Sequence, residues 1–188
     1  MTFAEVYDQH FEFVWRSLRR LGVPERDASD AAQEVFLVVH RKLDEFEERS
    51  KITTWLFGIC LRVASNLRRL QRSRAHDDDG HIAEAPDHRA DVGAEAERRQ
   101  ELALLESILD EMPLEQRAVF TMFELDAMTG TEIAGLLGIP IGTVYSRLRA
   151  AREAFQEILG RRKARDRFRA TTIAVHGARP SIRTSGWQ

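Results

Sequence analysis

Six hydroxyl and guanidinium side chains are concentrated within ten residues near the C-terminal end of the chain. They are Thr143, Tyr145, Ser146, Arg147, Arg149 and Arg152. Such groups hydrogen-bond to base edges and phosphates, and arginine can grip guanine in the DNA major groove. If the stretch is helical, these residues occupy the face and flanks opposite an apolar stripe. The pattern favours a helix that reads duplex DNA; the alternative is a surface helix of a helical bundle with solvated arginines.

The apolar stripe would fix this helix to the rest of a small domain. It consists of Val144, Leu148, Ala151 and Phe155. The helix before it begins at Thr129, where Glu132 three residues later can complete a capping box. Gly138 favours the left-handed conformation that ends a helix, and Pro140 cannot continue one. Residues 129–155 therefore predict a helix-turn-helix.

A second group of basic side chains lies in the middle of the chain. Residues 62–74 contain five arginines and no acidic residue: Arg62, Arg68, Arg69, Arg72 and Arg74. Basic residues near a helix C-terminus complement the helix dipole, but five of them without an acid exceed what capping requires. The excess favours nucleic acid as the partner of this segment.

The elements that must position these groups are expected to be helices, because apolar residues recur at helical spacing. The predicted helices cover residues 2–21, 24–46, 53–72, 95–112, 114–125 and the two of the helix-turn-helix. No segment with the alternation of a β-strand precedes the C-terminal tail. The predicted fold class is all-α, with two small helical domains at residues 1–74 and 95–160, the second containing the helix-turn-helix.

Charge is strongly segregated along the chain, although the net charge is only −2. Residues 76–101 contain nine acidic residues against three arginines, whereas eight basic residues from 161 onward oppose only Asp166. Such a distribution indicates contact with a polyanion in some places and its avoidance or mimicry in others. Residues 75–94 have no periodicity and predict an acidic flexible linker. For the basic tail, residues 161–188, disorder is favoured over a continuation of the last helix.

The sequence favours a cytoplasmic protein without a metal, a cofactor or catalytic residues. Cys60 is the only cysteine, so no intrachain disulfide forms and a reducing compartment is expected. No apolar run approaches the roughly 20 residues of a membrane span, and no signal-peptide pattern is present. His76, His81 and His88 lie among aspartates in the predicted linker. A linker lacks the structured surroundings that hold metal ligands, and the calcium-loop pattern is absent.

Taken in order, these features resemble the extracytoplasmic-function (ECF) sigma factors of bacterial RNA polymerase. The matching stretches are DASDAAQEVF at 27–36, TWLFGI at 54–59, MPLEQR at 112–117, EIA at 132–134 and GTVYSRL at 142–148. The resemblance spans about residues 3–160 and is carried by the order and spacing of the motifs.

The resemblance implies a promoter-specificity subunit that has no catalysis of its own. The exposed face of the second helix would dock on the coiled coil of the polymerase β′ subunit, through Asp30, Gln33, Glu34 and Arg41. A loop and the basic helix would capture the unpaired non-template strand of the minus-ten element. The residues implied are Arg49, Ser50, Lys51, Thr54, Trp55, Arg62, Asn66 and Arg69. The helix-turn-helix would read the minus-thirty-five element. The acidic linker would enter polymerase channels that are built for nucleic acid, and the β subunit would be a partner beside the β′ coiled coil. An anti-sigma factor would hold the protein inactive.

Several positions depart from the family pattern. Arg62 replaces a common asparagine, and Tyr145 and Ala150 replace residues that are often basic. The promoter sequence preferred by relatives therefore cannot be transferred. Gly130 replaces a larger residue beside the cap, which predicts a looser start of the first helix of the helix-turn-helix. The alternatives are a helix-turn-helix regulator that acts without polymerase and an enzyme that uses the linker histidines.

Overall fold

The structure is a computed structural model that describes residues 1–48, 50–77 and 94–177. These residues form helices joined by short turns, and none of them forms a β-strand. The helices are α1 Phe3–Arg20, α2 Glu25–Lys42, a 3₁₀ turn Leu43–Glu45, α3 Ile52–Asp77, α4 Ala94–Asp110, α5 Leu114–Phe120, a π-helical segment Thr121–Leu125, α6 Gly130–Leu137 and α7 Ile141–Gly177. The predicted all-α fold class is confirmed.

Helices α1, α2 and α3 pack against one another and form the N-terminal half. Thr2 and Glu5 close a capping box at the start of α1, in which the Thr2 amide donates to Glu5 Oε2 over 2.7 Å. Gly22, at φ 88°, allows the sharp turn from α1 into α2. Val14, Val35 and Leu56, one from each helix, are fully buried. The hydrophobic stripes read from the sequence thus face a common core.

The C-terminal half contains α4 to α7 with the π-helical segment. Phe120 of α5 stacks on Phe155 of α7, with ring centroids 5.0 Å apart. Ile108, Leu109 and Ala151 are buried in the same cluster. This packing fixes α7 against the helices that precede the helix-turn-helix.

The two halves also pack against each other. One continuous cluster of buried apolar side chains includes Leu56 and Phe57 from α3 together with Met122 and Ile133 from the C-terminal half. The Leu136 side chain packs onto Gly58, where an added Cβ would lie 2.7 Å from one of its methyl groups. The two predicted helical domains are both present, and their described helices also share a core.

Two ion pairs cross the same boundary. Arg19 contacts Glu106 over 2.7 Å, and Arg20 contacts Asp126 over 3.1 Å. Burial lowers the pKa of Arg20 and raises the pKa of Asp126, although each group attracts the other. Desolvation therefore outweighs attraction in this pair, as is common for buried ions.

The helix boundaries agree closely with the sequence except at three places. Helix α3 continues to Asp77, five residues past its predicted end and three residues into the predicted linker. The helix predicted over 114–125 loses α-helical geometry at Thr121 and ends as the π-helical segment. The last helix continues through Gly177, so the expectation of a disordered tail is wrong for residues 161–177. Contacts from Arg161 and Arg162 to Glu111 tie the beginning of this extension to α4. Most of the predicted linker and residues 178–188 lie outside the described residues.

No helix in the described ranges is long and apolar enough to cross a membrane.

Candidate nucleic-acid interface

The helix-turn-helix has the caps that the sequence predicts. The Thr129 amide donates to Glu132 Oε2 over 2.7 Å, and the Glu132 amide donates back to Thr129 Oγ1 over 3.2 Å. Hydrogen bonds from Thr129 lower the pKa of the Glu132 carboxyl. Gly138 ends α6 in the left-handed conformation, at φ 64° and ψ 35°. Both bonds of the capping box are made although a glycine stands at position 130.

The predicted apolar stripe of α7 faces inward and leaves a polar face outside. Val144, Leu148 and Ala151 are buried, whereas Tyr145 is 52% exposed and the Arg149 side chain 80% exposed. Among the residues that the structure describes, the one ion-pair partner of Arg149 is Glu153 of its own helix, at 3.9 Å. Such a loose exposed pair contributes little to stability, so the guanidinium is available to a ligand.

The six residues of α7 that are predicted to contact DNA differ in exposure and in their contacts within the chain. Ser146 is exposed, and its hydroxyl donates to the Thr143 carbonyl over 3.0 Å. Thr143 and Arg147 are partly buried on the flanks of the helix. Arg152 turns back toward the π-helical segment and pairs with Glu124 at 2.6 Å. The outward face is therefore centred on Tyr145, Ser146 and Arg149.

Arg152 has a second intramolecular contact that the sequence does not reveal. Its guanidinium carbon lies 5.5 Å from the centre of the Phe123 ring, a cation–π distance. Together with the Glu124 pair, this contact links α7 to the segment that precedes the helix-turn-helix. The Arg152 guanidinium is thus engaged within the chain, while its side chain stays 53% exposed.

The basic face of α3 is exposed as the sequence predicts. Arg62, Asn66 and Arg69 lie on it at intervals of four and three residues, all three exposed. None of them forms an ion pair with another described residue, so their charges and amide remain available. This spacing provides a polar track along about two turns of helix.

The turn that leads into α3 contains the other predicted contacts. Ser50 and Lys51 are exposed, and Arg49 lies outside the described residues. Trp55 is partly buried and contacts Phe46, with ring centroids 5.2 Å apart. Thr54 is only 4% exposed, and its hydroxyl has no hydrogen-bond partner in the described part of the chain. The Thr54 hydroxyl is thus buried, although the resemblance implies that Thr54 contacts the minus-ten element.

A cleft of about 530 Å³ separates the basic face of α3 from α6. Its lining residues are Gly58, Leu61, Arg62, Ser65, Asn66, Leu136 and Leu137. The cleft brings the first helix of the helix-turn-helix next to the polar track on α3. These elements belong to different predicted domains, so the sequence does not predict that they lie side by side.

The exposed face of α2 is a separate surface. Asp30, Gln33, Glu34 and Arg41 are all exposed on it. Leu37, which is 57% exposed, lies among them at helical spacing and borders an apolar groove formed with Phe3, Tyr7, Phe36 and His40. Leu37 is not predicted from the sequence as part of this surface. Its position, three residues after Glu34 and four before Arg41, places it on the same helix face and could have indicated its exposure.

The described residues contain no cluster of three or more His, Cys, Asp or Glu side chains that could hold a metal ion. Burial raises the pKa of the Cys60 thiol, which suits a core residue better than a nucleophile. The linker histidines His81 and His88 lie outside the described residues.

Comparisons with known proteins place the chain in one family. Residues 6–74 match the family Sigma-70 region 2, and residues 102–155 match the family Sigma-70, region 4. The ECF RNA polymerase sigma-E factor of Escherichia coli K12 is 34% identical over 140 residues, covering 70% of this chain and 73% of that protein. The RNA polymerase sigma factor NccH of Alcaligenes xylosoxydans xylosoxydans is 29% identical over 161 residues, covering 84% of this chain and 87% of that protein.

Two solved structures have the same fold. CnrH in complex with the cytosolic domain of CnrY superposes with a TM-score of 0.61 at 25% identity, covering 84% of this chain and 87% of that one. The sigma factor RpoE of Bartonella quintana, solved with the anti-sigma factor NepR, superposes with a TM-score of 0.63 at 25% identity, covering 82% and 96%. These relatives, together with the motifs and the helix-turn-helix, show that the chain belongs to the ECF family of RNA polymerase sigma factors.

Proposed function

We propose that this sigma factor divides promoter recognition between its two halves, α3 contacting the minus-ten element and α7 the minus-thirty-five element. The observation that carries this assignment is the presence of two exposed polar faces on one chain. Arg62, Asn66 and Arg69 form the first, and Tyr145, Ser146 and Arg149 form the second.

The face on α7 is suited to duplex DNA. A helix that buries one stripe and presents a tyrosine ring, a serine and a guanidinium on the other can enter the major groove. Arg149 is the best placed to donate to a guanine edge. Its side chain is 80% exposed, against 53% for that of Arg152, and Arg147 is partly buried. Thr143 and Arg147 border this face, and Arg152 holds α7 in position.

The face on α3 is suited to an unpaired strand. Single-stranded nucleic acid is bound by a positive groove along its backbone and by aromatic side chains on which bases stack. Arg62 and Arg69 supply the charge, and the partly exposed Trp55 with the exposed Lys51 lies at the other end of the helix. We assign Arg49 and Ser50 to the same contact and omit the buried Thr54 hydroxyl from it.

The face on α2 is proposed to dock on core polymerase. Its charged rim of Asp30, Glu34 and Arg41 is exposed and makes no ion pair with other described residues. Leu37 adds apolar area at the centre, which is the usual composition of a protein interface, with an apolar core and a polar rim. The β′ coiled coil is the partner implied for this face.

Two further assignments follow from the family. The solved relatives are complexes with the anti-sigma factor NepR and with the cytosolic domain of CnrY, and we propose that an anti-sigma protein likewise controls this chain. We also propose that it acts in the cytoplasm, where the polymerase works, and that it needs no cofactor and has no catalytic activity.

The test is run-off transcription with purified core polymerase on a library of promoters. The proposal predicts transcripts that require both core and this protein and that start at related promoter sequences. Tight and specific duplex binding without core, and no transcription with it, would instead support a regulator that acts independently of polymerase.

A further inference from the structure

Tyr145 lies directly over Gly130 at the start of the helix-turn-helix. A Cβ added to Gly130 would lie 2.8 Å from the Tyr145 hydroxyl oxygen, 3.0 Å from Cζ and 3.5 Å from Cε1. The first separation is shorter than real Cβ contacts and the second is tight, so a larger residue would have to displace the end of the Tyr145 side chain. The phenol ring therefore occupies the space that any larger residue at position 130 would need.

The backbone does not explain why position 130 is a glycine. Among described glycines, positive φ angles occur at Gly22 and Gly138 and not at Gly130. Gly130 is the first residue of α6, and glycine is a poorer helix former than alanine. The capping box is made by Thr129 and Glu132 and requires no side chain at 130. What position 130 does require is room for the Tyr145 ring.

The contact also determines which part of Tyr145 remains outside. Its hydroxyl end is the part nearest Gly130, so the ring folds back onto α6, while the residue as a whole stays 52% exposed. Arg149 lies one helical turn further along the same face. Tyr145 therefore borders Arg149 with its hydroxyl end against Gly130 and its ring lying on α6.

We propose that Gly130 is a positioning residue for Tyr145 and that the pair sets which base α7 reads opposite residue 145. A ring held in this way offers the major groove apolar carbon and no cationic donor. Apolar contact recognises the methyl group of thymine, whereas guanine is recognised by paired donors such as those of arginine. The pair therefore selects thymine at that position, and Arg149 supplies the donor contact at a neighbouring one. The inference rests on the proposed reading of duplex DNA by α7.

The experiment compares matched glycine substitutions in the full-length chain. Gly130→Ala adds a methyl group beneath the ring, while Gly135→Ala makes the same change in the same helix where nothing lies within 4 Å. Tyr145→Ala and the double variant Gly130→Ala/Tyr145→Ala complete a cycle. Each protein is assayed with core polymerase on promoters randomised across the minus-thirty-five element, and thermal melting followed by circular dichroism confirms folding.

The expected result is a local change of sequence preference. Gly130→Ala and Tyr145→Ala should each reduce selection for thymine at the same base pair, on the order of tenfold as for loss of a good base contact. The double variant should show no larger change than Tyr145→Ala, and Gly135→Ala should behave as the unmodified protein. Effects at different base pairs, or effects that multiply in the double variant, would overturn the pairing.

A measurement without DNA separates this inference from the proposed function. In the free protein, nuclear Overhauser effects should connect the Gly130 α-protons with the Tyr145 ring protons. Their absence would refute the geometry whatever the promoter result. If the unmodified protein shows no dependence on the minus-thirty-five sequence, the proposed function fails; if it does and Gly130→Ala leaves the preference unchanged, only the pairing fails.

Discussion

Arg117→Met should stabilise the folded protein, because Arg117 is a buried charge with too few partners. The residue is 0% exposed, and its only hydrogen bond within the described residues joins Nη1 to Asp110 Oδ1 over 2.9 Å. Its Nε and Nη2 atoms have no partner there. Part of this burial comes from the other half, since an added Cβ on Gly22 would lie 1.8 Å from Nη1.

The magnitude follows from the cost of desolvation. Burial lowers the pKa of Arg117 from its ordinary value to about 10, despite attraction by Asp110. At about 1.4 kcal/mol for each pH unit, this corresponds to roughly 3 kcal/mol of unfavourable free energy when the group is charged. Methionine removes that cost but is smaller and leaves some space, so a net gain of about 1–3 kcal/mol is expected. The melting temperature should rise by roughly 2–4 °C for each kcal/mol.

The assay is chemical and thermal unfolding of Arg117→Met beside a matched control, Arg26→Met. Arg26 is exposed on α2, so its replacement should change the unfolding free energy by less than about 0.5 kcal/mol. Asp110→Asn should act in the opposite direction and destabilise by about 1 kcal/mol, a modest cost because the carboxylate is 60% exposed. Destabilisation by Arg117→Met would refute the reasoning, since it would mean that the guanidinium is well satisfied.

The pH dependence has a definite sign. Below pH about 10 Arg117 is protonated in both states, so the desolvation cost is fully present. Between about pH 10 and 12.5 the folded protein releases the proton before the unfolded chain does, and the cost declines. The stability advantage of Arg117→Met should therefore be constant at neutral pH and shrink above pH 10. A constant advantage up to pH 12 would contradict this origin.

Three other substitutions test the proposed surfaces. Arg149→Ala should cost roughly 1–3 kcal/mol in binding to the preferred minus-thirty-five sequence, measured by competition between promoters, whereas an equal small loss on every sequence would make it a phosphate contact. Glu34→Arg should weaken binding to core polymerase in a titration and leave the binding of duplex by the isolated protein unchanged; normal affinity for core would contradict the docking face. Thr129→Ala should reduce the unfolding free energy by about 0.5–2 kcal/mol through loss of the cap, and no loss would show that the capping box in α6 contributes nothing.

The sequence predicts the helices well because their signals are local. The capping box at Thr129, the left-handed Gly138 and the inward stripe at Val144 and Leu148 depend on residues within one or two turns. The structure confirms each of them. The exposed face of α2 is predicted by the same helical spacing. Leu37 is not predicted as part of it, because single apolar residues are common on protein surfaces.

Features that depend on distant contacts were not predictable in this way. Nothing near Arg152 in the sequence indicates that its guanidinium contacts Glu124 and Phe123. The same holds for the burial of Arg117 against Gly22 and for the fit of Tyr145 over a glycine fifteen residues away. Each depends on how helices pack, which composition and periodicity do not specify. The DNA contacts assigned to residues of α3 and α7 are predictions, and the exposure of these two helix faces supports them.

The central claim is that one chain contacts two promoter elements through two different helices. Photo-crosslinking in the complex with core polymerase and promoter DNA tests it directly, with a crosslinkable amino acid placed at position 66 on α3 or at position 149 on α7. We predict that the first labels the non-template strand of the minus-ten element and the second labels the minus-thirty-five duplex. Labelling of a single element from both positions, or of neither, would contradict the proposed division of promoter recognition.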